Sequence, residues 1–176
     1  MPIDNSFSSY LQQLELIGFF SGYPLIYVVT FFIAENLRLK NSFNKRIIHL
    51  LPFAYALAGT LYLGFQLKNL YPDYSSENIK QTIQQSYLII WGLLSIFFWI
   101  PAFGKKPGFS LIHSLPFFFL LVRDLILQLS RSSSDKDIIK NDMKIYTGSL
   151  ILHLTVFCLI VLIFLLFIRL KKHLRP

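Results

Sequence analysis

From Val156 to Ile168 the chain runs Val-Phe-Cys-Leu-Ile-Val-Leu-Ile-Phe-Leu-Leu-Phe-Ile, without one polar side chain to face water. A helix built on that run is apolar all round, and lipid is the solvent that tolerates such a surface. The run belongs to the last of five apolar stretches, at about residues 16–34, 47–67, 86–103, 109–129 and 148–168, set apart by charge clusters. That alternation predicts an all-α integral membrane protein with five transmembrane helices. Composition agrees, since 54% of the 176 residues are hydrophobic and only 15% charged, more apolar surface than a soluble domain of this length can bury. The single Cys158 sits inside the last stretch, which excludes a disulfide framework and a cysteine-based metal site. Met1 to Gln13 holds neither Lys nor Arg and no short apolar core, so a removable signal peptide is not expected.

One run within this series recurs. Arg46-Ile47-Ile48-His49-Leu50-Leu51-Pro52-Phe53 opens the second stretch, and Ser110-Leu111-Ile112-His113-Ser114-Leu115-Pro116-Phe117 answers it 64 positions later. At the same offset Tyr23, Leu25, Ile26 and Tyr27 meet Tyr87, Ile89, Ile90 and Trp91. The expected architecture is a single membrane domain, 1–176, of two tandem parallel helix-loop-helix repeats, about 16–67 and 86–129, plus a C-terminal helix. Gly22 and Pro24 predict a kink near Tyr23-Pro24. In the second span Ala56, Thr60 and Gly64 recur every four residues, on one helical face where another backbone can come close. This marks the span as the central helix and its small face as a packing or partner face, with a merely alanine-rich helix as the alternative. Polar loops are expected at 68–85 and 130–144, and Ser132-Ser133-Ser134-Asp135 can cap a short surface helix.

Basic residues set the expected orientation. With five spans, one set of loops holds Arg38, Lys40, Lys45, Arg46, Lys105, Lys106, Arg169, Lys171, Lys172 and Arg175. The other holds Lys68, Lys80, Arg131, Lys136, Lys140 and Lys144. Ten against six places the first set in the cytoplasm, with the N-terminus outside and the C-terminus inside. The net charge of +8 then reads as a membrane-surface effect and not as a nucleic-acid footprint, because the basic residues are split among short loops without exposed aromatics between them.

Two groups are candidates for chemistry. His49 and His113 each precede a proline by three positions, and a proline leaves the carbonyl four residues back, at Ile48 or Ile112, without its helical donor. The imidazoles can satisfy such backbone or anchor at the interface. Alternatively they form a pair of ligands at equal depth on helices two and four, the arrangement of a b-type haem electron-transfer subunit. The second group is Arg123-Asp124, adjacent charges near the outer end of span four, expected to point ~100° apart, to need separate partners, and either to snorkel or to line a cavity mouth. No phosphate loop, metalloprotease motif, nucleophile elbow or intramembrane carboxylate pair is present, so neither an enzyme nor a bound cofactor is expected. A small transporter would need a polar midplane site, for which only Thr30, Thr60, Ser95 and aromatic hydroxyls are at hand.

Tyr23-Pro24-Leu25-Ile26-Tyr27, a basic loop, and Ile48-His49-Leu50-Leu51-Pro52-Phe53 together resemble the multi-pass membrane sensor modules that many bacteria place before an AraC-type helix-turn-helix domain. The likeness covers about residues 22–70 and departs from the pattern in having five spans, fewer than is usual, and no DNA-binding output domain. It implies a non-enzymatic module of the bacterial inner membrane, sensor-like or an accessory subunit of a larger complex. Its partners would be membrane lipids and another membrane protein or a second copy.

Overall fold

A computed structural model of the chain describes residues 5–36, 47–72, 74–76, 79–80, 87–130 and 136–173. The basic loop at 38–46 and the capping stretch at 132–135 lie outside the described residues. The described chain is helical: α1 (Asn5–Phe20), α2 (Tyr23–Asn36), α3 (Leu51–Leu70), α4 (Tyr87–Leu93), a 3-10 stretch (Leu94–Trp99), α5 (Pro101–Gly104), α6 (Pro107–Ser130) and α7 (Lys136–His173). No strand occurs among the described residues. By length and composition three helical stretches can cross a membrane, Tyr10–Glu35, Pro107–Leu127 and Asn141–Lys171.

The first of these is bent where proline and glycine dictate. Pro24 has no N–H for the carbonyl of Phe20, so the helix stops at Phe20 and restarts at Tyr23. At the break the N–H of Gly22 donates to Ser149 Oγ at 2.9 Å. A Cβ on Gly22 would stand 2.7 Å from the Ser149–Leu150 backbone, so the close approach of α7 requires glycine there.

Contacts along the bundle fix the direction of each element. α3 runs antiparallel to α1: Gln66 donates to Glu15 at 3.1 Å, the Tyr62 ring lies 5.3 Å from Phe20, and Tyr55 lies 4.4 Å from Tyr23. The chain from α4 to α5 returns beside α3, with Gly92 against Tyr62, Ser95 against Gly59 and Gly104 against Phe53. α6 reverses again, its Ser110 bonded to Tyr23, its Phe117 stacked on Phe20 and its Asp124 bonded to Gln13. α7 runs with α1, Ile145 beside Gly18 and Ser149 beside Gly22.

α3 occupies the middle, packed against α1, α4, the 3-10 stretch, α6 and α7. Leu51, Pro52, Ala54, Tyr55, Ala56, Ala58, Gly59, Tyr62 and Gln66 are buried in the bundle, while Thr60, Leu61, Gly64 and Leu67 form one exposed stripe. On its shielded faces small residues admit neighbouring backbones, while Leu61 and Leu67 lie on the exposed stripe. The Ala56–Thr60–Gly64 row is divided, however. Ala56 is buried, Thr60 is exposed and holds the Trp99 indole N–H at 3.0 Å, and a Cβ on Gly64 would meet nothing within 4 Å. The close approach lies one position before Thr60, at Gly59, where a Cβ would overlap the Ser95 hydroxyl.

Two expected elements differ in form. The stretch expected as one span at 86–103 is three short pieces, and its apolar helical part, Tyr87–Trp99, is shorter than a bilayer-crossing helix. Pro101 ends the 3-10 stretch by denying Ile100 a helical conformation; Ile100 is extended at φ −73° and ψ 126°. The last helix starts at Lys136, within the expected polar loop, and reaches His173. Its buried stripe of Asp142, Ser149, His153, Val156 and Ile160, at steps of seven, four, three and four residues, faces the bundle, while Leu162, Ile163, Leu165, Leu166 and Phe167 are exposed.

Candidate functional site

At the level where α2 begins, polar side chains from four helices converge in an aromatic interior. Tyr55 of α3 stands at the centre. Its hydroxyl shares a 2.8 Å hydrogen bond with His113 Nδ1 of α6, and its ring lies 6.1 Å from His153 of α7 at an interplanar angle of 20°. Tyr23 of α2 packs 4.4 Å from Tyr55 and 5.4 Å from His153, and its hydroxyl bonds to Ser110 Oγ at 2.7 Å. Trp91 of α4 closes the other side, parallel to the His113 ring at 4.8 Å and 6°.

Local chain chemistry puts these groups there. Pro116 inside α6 has no N–H for the Ile112 carbonyl, which loosens the turn around His113. The Trp91 indole uses that turn, donating to the His113 carbonyl at 3.0 Å. Ser110 and Ser114 are satisfied within α6 by the carbonyls of Pro107 and Leu111, so they add small polar surface without demanding distant partners. The imidazoles are less well provided. His113 Nε2 and both ring nitrogens of His153 close no hydrogen bond of ordinary geometry, although the backbone of Trp91 borders the His113 ring and that of Phe19 borders the His153 ring. His113 is 9% exposed and His153 1% exposed.

The structure therefore separates the two histidines singled out by the repeat. His113 is enclosed by Tyr55, Trp91, Phe98 and Phe117, whereas His49 lies exposed in the turn before α3. Pro52 also differs from Pro116, standing in the first turn of α3, where a missing N–H has no helical partner to lose.

A second polar layer lies nearer the start of α1, beyond Leu16, Phe19, Phe20 and Phe117. Gln13 Nε2 donates to Asp124 Oδ2 at 2.6 Å, Gln66 donates to Glu15, and the Tyr62 hydroxyl faces that pair without closing a bond. Arg123 and Asp124 correct the expectation of separate partners. The guanidinium folds back to place Nε and Nη2 at 3.2 and 3.0 Å from Asp124 Oδ1, leaving Oδ2 for Gln13. Arg123 has stem enough to bridge the angle between neighbouring positions and remains 57% exposed, while Asp124 is 11% exposed. No group of three or more metal-binding side chains occurs among the described residues.

Sequence patterning marks none of Tyr55, His153 and Ser149, and Trp91 only as the counterpart of Tyr27 in the repeat. A span starting near residue 148 would put His153 close to its outer end; the helix starts at Lys136 and carries His153 inward. The signal available was the stripe at 142, 149, 153, 156 and 160, which runs through the polar loop into the apolar run without a change of face. No family model, curated protein or solved structure matches the chain.

Proposed function

We propose that the chain is a non-catalytic, multi-pass module of a bacterial inner membrane, sensor-like in having a receiving site within its bundle and accessory to another membrane protein. The observation that carries the reading is the His113–Tyr55–His153 cluster. Ionisable side chains buried in a membrane-spanning bundle are expensive and mark functional positions there. The likeness of Tyr23-Pro24-Leu25-Ile26-Tyr27 and the first His-x-x-Pro run to AraC-associated sensor modules supports the same reading, since Tyr23 lies in the cluster.

In this reading the chain crosses the membrane five times as two tandem repeats and a terminal helix, with the third crossing made by the broken stretch from α4 to α5. The alternating directions of the five helical layers support it, and so does α3, whose 20 residues span ~30 Å at ~1.5 Å each. Lys105, Lys106, Arg169 and Lys171 then lie on the cytoplasmic side, with the N-terminus outside.

The test is purification from native membranes in mild detergent, comparing the unmodified chain with His153→Phe and His113→Phe. A membrane partner that stays with the unmodified chain and is lost or weakened in both variants, with helicity unchanged, is the expected result. A partner retained equally by all three, or the chain isolated alone from each, contradicts a role for the cluster in partner control.

A further inference from the structure

On the side where α3 and α6 begin, the helices end at different heights. His113 and His153 both flank Tyr55, which puts them at one level of the bundle. From that level the chain runs back seven residues to Lys106, ~10 Å at ~1.5 Å per residue. α7 runs on 16 residues to Arg169, ~24 Å by the same rise, and α2 continues 13 residues past Tyr23. The Lys105–Lys106 turn therefore lies ~13 Å short of the basic end of α7. Between those heights the exposed side chains are apolar: Phe31, Phe32 and Ile33 on α2, and Leu162, Ile163 and Leu166 on α7. All three helices belong to stretches able to cross a membrane, so that surface fits lipid, and the two lysines sit below the surface of one leaflet.

Two charges at that depth call for a counter-charge. Both lysines are exposed, and among the described residues neither meets a carboxylate; the ion pair there is Arg123–Asp124. Lys106 Nζ stands 5.1 Å from the centre of the Phe109 ring, which holds the ammonium at the head of the exposed face of α6. A Cβ on Gly108 would meet nothing within 4 Å, so the surface beside the lysines is bare backbone. Phe109, Ile112 and Phe119 carry the exposed face on, away from the turn. The sequence offers this end little acid of its own: residues 35–46, 105–106 and 169–175 hold ten bases and one acid, Glu35. A soluble acidic protein does not follow the lysines below the leaflet surface. A free anion gains nothing from Phe109 and Ile112. An anionic head joined to hydrocarbon chains meets both demands.

We propose that the Lys105–Lys106 turn is a headgroup site for an anionic phospholipid, its phosphate paired with the two ammonium groups and its chains laid along Phe109 and Ile112. The bound headgroup is drawn below the level of Arg169. The proposal requires only that α2, α6 and α7 cross the bilayer, and it is independent of the receiving site at His113 and His153.

The experiment uses full-length protein in phosphatidylcholine vesicles with a trace of spin-labelled phosphatidylglycerol or spin-labelled phosphatidylcholine. The fraction of label that the protein holds motionally restricted gives the relative affinity. The expected result is a preference of ~3-fold or more for phosphatidylglycerol. Lys105→Gln with Lys106→Gln should bring the two lipids to parity, while Arg169→Gln with Lys171→Gln should leave most of the preference in place. Circular dichroism checks folding, and if the first double variant does not fold, Lys105→Gln alone should lower the preference by about half. Replacing chloride by inorganic phosphate at equal ionic strength should change nothing. A preference that survives loss of both lysines, or falls equally in the two double variants, overturns the proposal, because the whole basic end would then attract the lipid. Displacement of the lipid by phosphate overturns it as well, since the lysines would then bind a water-borne anion.

Discussion

The hexad Ile-His-x-Leu-Pro-Phe occurs twice, and the two copies occupy opposite kinds of place. In the first, His49 is exposed in a turn, Pro52 opens α3, and Phe53 is half-buried beside Trp99 and Gly104. In the second, His113 is buried, Pro116 lies inside α6, and Phe117 is fully buried against Phe20. Their upstream tyrosines differ in the same manner in reverse, Tyr23 buried at 1% and Tyr87 exposed at 78%. The difference arises from where each helix begins. α3 starts at Leu51, next to its proline, while α6 starts at Pro107 and carries the same letters two turns into the bundle. A repeated spacing therefore specifies which residues share a helical face, while the helix start specifies their depth.

The largest contrast is expected at the two phenylalanines. Phe117→Ala should cost ~3–5 kcal/mol in detergent unfolding, as for a fully buried aromatic, and Phe53→Ala roughly half of that. Equal costs would place the two copies at equal depth after all. The next contrast is between glycines on α3. Gly59→Leu drives a side chain into Ser95 and should cost ~1–3 kcal/mol or prevent folding, whereas Gly64→Leu should stay within ~0.5 kcal/mol. Thermal melts of both variants decide it, and a Gly64 variant that melts as low as the Gly59 one would restore the 56–60–64 row as the packing face. Smaller again is the contrast between the histidines. His113→Ala strands the Tyr55 hydroxyl and should cost ~1–2 kcal/mol, against less than ~0.5 kcal/mol for His49→Ala.

Much of the fold was legible because lipid imposes a simple rule on composition. The first, fourth and fifth apolar stretches overlap the three helices able to cross a membrane, and the break at Ser21–Gly22 falls where glycine and proline predicted a kink. The small-residue content of α3 foretold its central position, though not that Gly59 and Ser95 would make the tight contact while Gly64 stood clear. What hydropathy could not show was the interior. Counting apolar residues marks His113 and His153 as exceptions near span ends, since it carries no information on where a helix starts or which face it turns inward. The Arg123–Asp124 pair escaped for a related reason: the angle between their Cβ directions was known, but the reach of the arginine stem decides the contact.

Diethylpyrocarbonate modification of the folded, detergent-solubilised protein, read peptide by peptide in a mass spectrometer, addresses the two histidine environments without any mutation. His49 should be modified fast, and His113 and His153 should react only after denaturation. Modification of His113 in the folded protein at the rate of His49 would contradict the buried cluster on which the functional reading depends.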